Sequence, residues 1–155
     1  MSELTLFENT DLKKKLLHAS LGACLFVLVS LPQVYSGTNT HFMPTTFDNC
    51  PTPAGKFLHS ALFFVLNFLV MKYMATNNYL NMANLSDGLL AKYAFIGTLL
   101  FFLVSSSDTY MLTHNVYSGL STPFGCPNLS GVLVHGLVFL VILVLVMYFP
   151  KDNSQ

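Results

Sequence analysis

The 155-residue chain has no arginine and few charges of any kind, with Asp, Glu and Lys at 9% of residues against 53% hydrophobic. A water-soluble domain carries about 25% charged residues, and so sparse a set cannot cover a globule of this size. The zero formal net charge and the lack of arginine also remove the basic stripe that phosphate backbones require, which excludes nucleic acid as a primary partner. A nucleophile and base pair, a carboxylate dyad and a glycine-rich phosphate loop are all missing from the sequence. Asp108 is the one acidic residue near the far end of an apolar run, and alone it makes no proton path. These absences predict a protein that is not an enzyme and carries no cofactor.

Apolar runs supply what is present. A membrane helix needs about 20 mostly apolar residues to cross roughly 30 Å of hydrocarbon, and four segments approach that length: 16–35, 57–73, 89–107 and 132–149. The last holds 14 Leu, Ile, Val or Phe residues. At about −0.3 to −0.6 kcal/mol each they outweigh one histidine and one glycine. Lys13, Lys14, Lys15, Lys72, Lys92 and Lys151 fall on one side of the four segments and only Lys56 on the other. The positive-inside rule then predicts cytosolic termini and a cytosolic 74–88 linker. It leaves 36–55 and 108–131 as exoplasmic loops. The lysine triplet before an apolar run also has the look of a secretory signal, but the run is too long and "VYSG" lacks the small residues of a cleavage site.

The chain also repeats itself. With a shift of 75, Gly22 overlies Gly97, Phe26 overlies Phe101, Ser30 overlies Ser105, Tyr35 overlies Tyr110 and Thr38 overlies Thr113. One inserted residue moves the shift to 76, and then Cys50 pairs with Cys126, Gly55 with Gly131, His59 with His135 and Phe63 with Phe139. The expected fold is a single all-α membrane domain over 1–155. Its four transmembrane helices form two parallel helix–loop–helix repeats, about 16–73 and 89–149, related by a pseudo-two-fold axis along the membrane normal.

Lipid tails are as apolar as leucine, so close backbone approach and interhelical hydrogen bonds must hold such a bundle. Ala19 with Gly22, and Ala94 with Gly97, are the predicted helix-contact faces of the first and third spans. Gly55, Gly131, His59, His135 and Asn67 complete the expected inter-repeat packing or hydrogen-bonding set. Asn67 is expected to face inward toward hydroxyls such as Thr98 or Ser20. The loops are long for simple connections. Their aromatics, Tyr35, Phe42, Phe47, Tyr110, Tyr117 and Phe124, suit the headgroup zone or a packed cap that contacts a partner.

The stretches "CPTPAGKFLH" (50–59) and "CPNLSGVLVH" (126–135) raise the remaining chemistry. A tetrahedral metal set of Cys50, His59, Cys126 and His135 is strained, because nine helical residues separate each thiol from its imidazole by about 13 Å. The two histidines as axial haem ligands need a wide apolar slot that four short helices do not offer. A Cys50–Cys126 disulfide suits an exoplasmic face. Beside these stands the plain reading: proline at a helix start, a histidine bonded to a neighbouring loop, and Cys24 as a small apolar side chain.

A span ending in "LPQVY", a following "TNTHF" and "CPTPAG", with the second copy "DTYMLTHN" and "GCPNLSG", resembles small membrane proteins of large icosahedral DNA viruses with an internal membrane, the chloroviruses and their relatives. The resemblance implies a structural virion protein in the internal membrane beneath the capsid, in some cases a minor capsid protein that ties the shell to the bilayer. It carries no catalytic residues, and the second copy departs from the first where His114 replaces Asn39. The partners expected are the lipid bilayer and capsid or other virion proteins, with self-association as a homo-oligomer left open. The alternative is a small channel or carrier, or a haem-binding membrane protein, built on parallel repeats.

Overall fold

The computed structural model describes residues 2–48, 50–79 and 85–148, with side chains from Leu12 onward. Lys151 and the 80–84 part of the expected linker lie outside them. The chain is mostly helical, in the order α1 (Ser2–Ser30), α2 (Pro32–Gly37), β1 (Thr46–Phe47), β2 (Cys50–Pro51), α3 (Pro53–Thr76), α4 (Asp87–Val104), α5 (Ser107–Val116) and α6 (Leu129–Val146).

Local chemistry sets each boundary. α1 stops because Leu31 leaves helical geometry (φ −59°, ψ 134°) and Pro32, with no N–H to give, opens α2. α3 starts on Pro53 with the Thr52 hydroxyl accepting from Gly55 N at 3.0 Å. Ser86, Ser106 and Asn128 cap α4, α5 and α6 in the same way, accepting from Leu89 N, Thr109 N and Gly131 N. Each side chain satisfies one of the first-turn donors that a helix leaves unpaired. The strands form a two-residue antiparallel ladder, Thr46 opposite Pro51 and Phe47 opposite Cys50, turning through Asp48 at φ 49°.

Among the described residues three helices, α3, α4 and α6, are long and apolar enough to cross a membrane, which makes this a multi-pass membrane protein. The first expected span, 16–35, is not continuous. Its apolar run ends at Ser30, 15 residues after Lys15, and the chain turns at Leu31 into α2. The third expected span likewise ends at Val104, short of 107, and its tail becomes the cap and first turn of α5. The small ladder in the first loop adds a trace of β structure to a fold expected to be wholly helical.

The four long helices form a ring in which α1 packs on α6 and α3, and α4 packs on α3 and α6. The most extensive pairs are α3 with α4 and α1 with α6, so the tightest packing joins the two expected repeats. Gly22 faces α6, where an added Cβ would lie 3.0 Å from Leu143 Cδ2. Gly97 faces α3, where the same atom would lie 3.0 Å from Asn67 Nδ2. On the bundle axis Phe26, Phe101, Phe63 and Phe139 meet ring to ring. Phe26 stacks with Phe139 (5.0 Å) and Phe63 with Phe101 (4.5 Å), while the Phe26–Phe101 and Phe63–Phe139 contacts are edge to face.

Candidate functional site at the loop-bearing end

Both long loops fold back on the ends of α1 and α4, and each is tied down by a histidine from the helix that follows. His59 Nδ1 lies 2.8 Å from Val29 O and its Nε2 lies 2.8 Å from Thr38 Oγ1. His135 Nδ1 lies 2.9 Å from Val104 O and its Nε2 lies 3.0 Å from Thr113 Oγ1. A carbonyl only accepts, so Nδ1 carries the proton in both rings, and in the neutral ring Nε2 accepts from the threonine hydroxyl. Val29 O and Val104 O fall in the last turns of α1 and α4, where the helix supplies no N–H partner. The imidazoles replace that partner.

Tyrosines complete each clasp. Tyr35 stacks on His59 with ring centroids 3.6 Å apart, and Tyr110 on His135 at 3.9 Å. The backbone oxygen of Tyr35 accepts from Thr45 Oγ1 at 2.6 Å, and that of Tyr110 accepts from Ser121 Oγ at 2.9 Å. Asn39 and His114 perform related ties with opposite polarity. Asn39 Oδ1 accepts from Thr45 N, whereas His114 Nδ1 donates to Ser121 O. Asn39 and His114, which overlie in the sequence alignment, therefore each link the end of a short helix to the returning loop.

Close backbone approach explains two glycines. A Cβ on Gly55 would strike the Thr45 carbonyl, and one on Gly131 the Leu120 carbonyl, so each loop crosses the first turn of α3 or α6 at contact distance. Cys50 and Cys126 form a disulfide with Cα atoms 4.9 Å apart, within the ordinary range for such bridges. It joins the two loops to each other. Lys56 adds a second link, donating to Ser107 Oγ at 2.6 Å across the same interface.

Several expectations change here. His59, His135, Gly55 and Gly131 bond and pack within their own helix–loop–helix segment, not between segments, because each serves the end of the helix it follows. Both nitrogens of each histidine are engaged and both thiols are oxidised, so neither the four-ligand metal nor the bis-histidine haem arrangement fits these residues. Among the described residues no three His, Cys, Asp or Glu side chains gather closely enough to hold a metal. Tyr35 and Tyr110 are 2% and 1% exposed and cannot meet a partner. Phe42, Phe47, Tyr117 and Phe124 stand out at 97%, 74%, 65% and 82% exposure. Asn67 faces inward, but Thr98 and Ser20 spend their hydroxyls on the carbonyls of Ala94 and Leu16 in their own helices.

Thr38, Thr113, Thr45 and Ser121 were not among the expected site residues. Thr38 and Thr113 overlie in the repeat, a usable signal, whereas Thr45 and Ser121 differ in type and lie beyond the inserted residue.

No protein-family model, curated protein or solved structure matches the chain.

Proposed function

We propose that the protein is a structural membrane protein: a four-span bundle of two parallel repeats whose disulfide-closed cap docks onto a protein lattice. The pairing of equivalent contacts supports the repeat. Val29–His59–Thr38 matches Val104–His135–Thr113, and the two stacked Phe contacts exchange under the same shifts while the two edge contacts map onto themselves. A pseudo-two-fold axis along the membrane normal accounts for that pattern. The first span is then the apolar part of α1 from Leu16, shortened by its bend. Cytosolic termini follow from the lysine distribution.

One observation carries the docking role. The polar and thiol groups that gave the cap a chemical look are consumed in its own framework, while Phe42, Phe47, Tyr117 and Phe124 are left projecting from it. Exposed aromatics on a rigid support are the residues that anchor interfaces. The resemblance described above makes a virion shell over an internal membrane the setting we propose. A channel is disfavoured because the Phe26, Phe63, Phe101 and Phe139 rings fill the axis and the spans lack the intramembrane charges of an ion path.

The test is fractionation of purified particles. The protein should co-purify with them, resist extraction by high salt and leave with detergent. Phe42→Ser/Phe124→Ser should keep the melting temperature and the disulfide yet lose the particle association. Recovery in host membranes alone, never in particles, overturns the reading.

A further inference from the structure

The opposite end of the bundle holds a cavity of about 290 Å³ between all four long helices. Its inner end lies at Gly22 and Gly97. A Cβ added to Gly22 would lie 3.6 Å from Phe139 Cε1, and one added to Gly97 would lie 3.9 Å from Phe63 Cε1, so aromatic ring edges close the floor. Met71, Met147, Leu143 and Ile96 make the apolar wall. Lys15, Lys92 and Tyr93 also line the space, but each has a partner of its own. The polar groups left to meet an occupant are Asn67 and His18.

Asn67 and His18 come from neighbouring helices, α3 and α1. Both are half-buried, and neither makes a hydrogen bond among the described residues. A bare amide and a bare imidazole beside apolar helix faces are costly to leave unmet. Packing alone does not ask for them: in the sequence alignment of the two copies Asn67 overlies Leu143 and His18 overlies Tyr93, whereas Gly22 overlies Gly97 and Met71 overlies Met147. The residues that shape the space are common to both copies, and the bare polar pair belongs to one wall only. In the cap the reverse holds, since its histidines and their threonine partners recur in both copies. One-sided polarity in an otherwise matched space suits a ligand with a single hydrogen-bonding edge. The volume is about twice the roughly 150 Å³ of an apolar cavity that takes one benzene, which leaves room for two fused rings. Flat rings also suit the phenylalanine edges and the two thioethers, because sulfur packs favourably on aromatic rings.

We propose that this cavity binds one neutral two-ring phenol per chain, its oxygen held by Asn67 and His18 and its rings set against Met71, Met147 and the Phe63 and Phe139 edges. The phenol oxygen accepts from the Asn67 amide and donates its own proton to the unprotonated nitrogen of His18, so one atom satisfies both bare groups. No charge is required of either partner. The site is independent of the cap and of any partner docked there.

Equilibrium dialysis of the full chain in neutral detergent, against detergent alone, tests it with β-naphthol, naphthalene and β-naphthoate as probes. One naphthol per chain should be retained, about tenfold more tightly than naphthalene, which lacks the oxygen, or the naphthoate anion. Asn67→Leu and, separately, His18→Leu should each lower naphthol retention about tenfold, to the naphthalene level, while the Cys50–Cys126 disulfide and the helical content stay intact. Ser20→Ala removes a polar group of α1 that does not line the cavity and should leave retention unchanged. No saturable retention, equal retention of naphthalene, tighter retention of naphthoate, equal loss in Ser20→Ala, or an unchanged preference for naphthol in both Asn67→Leu and His18→Leu overturns the proposal. Its failure leaves the particle-fractionation test of the docking role untouched.

Discussion

The imidazole of His59 lies flat on the ring of Tyr35, with the planes 6° from parallel. That contact, together with the bonds to Val29 O and Thr38, makes one side chain the meeting point of α1, α2 and α3. Because the ring is fully buried, its loss strands the Val29 carbonyl, while the Thr38 hydroxyl keeps the Tyr35 carbonyl as an acceptor.

His59→Ala should therefore destabilise the protein by about 1 to 3 kcal/mol for the stranded carbonyl, with the loss of ring packing added to that. His59→Phe keeps the volume and an aromatic face but no ring nitrogen, and should lose most of the same amount. Thermal melting in detergent separates the two contributions. If His59→Phe melts with the wild type, the hydrogen bonds contribute little and the clasp is only packing.

The disulfide acts on a larger loop. Closing 76 residues removes up to about 4.5 kcal/mol of denatured-state entropy in the chain-entropy treatment. Membrane helices that persist after unfolding reduce that figure. Cys50→Ser/Cys126→Ser should lower the melting temperature, and reductant should do the same to the wild type but not to the double variant. Alkylation with and without reductant should show two thiols that become reactive only after reduction.

How much of this was legible follows from what a repeat can and cannot say. Under the proposed two-fold symmetry, overlying residues touch each other only where they lie near its axis. Cys50 and Cys126 lie together, and so do Phe26 with Phe101 and Phe63 with Phe139. His59 and His135 do not meet, and each bonds to the loop before its own helix. The sequence alignment of the two histidines was readable, as was that of Thr38 with Thr113; the Val29 and Val104 carbonyls were not, since a backbone group carries no side-chain signal. Tyr35 and Tyr110 look like interfacial anchors in a loop. They are buried because the chain bends at Leu31 and Ser106 into short helices that turn these rings inward, and hydropathy alone does not register a bend within an apolar run.

Glycine positions separate close approach from simple helix propensity. Gly55→Ala and Gly131→Ala place a Cβ against the Thr45 and Leu120 backbones, where no flexible side chain can yield, and each should cost about 1 to 3 kcal/mol. Gly37 and Gly88 have open space around them and lie in helices without positive φ. Alanine at either should be neutral or should stabilise by up to about 1 kcal/mol. Equal melting of all four variants would remove the loop-crossing role assigned to Gly55 and Gly131.

Tyr110 gives the pH dependence. Burial, and then the neighbouring Tyr35, push its phenol well above the ordinary range near 10, so the folded protein holds that proton after an unfolded chain has released it. Stability from this group is complete below about pH 10 and falls as pH rises beyond that value. Its hydroxyl also has no hydrogen-bond partner among the described residues, so Tyr110→Phe removes a buried polar atom without breaking a bond and keeps the stack on His135. The variant should match or exceed wild-type stability at neutral pH, by up to about 1 kcal/mol, and lose less of it between pH 10 and 12. Ultraviolet titration of tyrosinate should show one fewer late-ionising group. A marked drop in neutral-pH stability would mean that the hydroxyl is bonded in solution, and the unpaired assignment would fall.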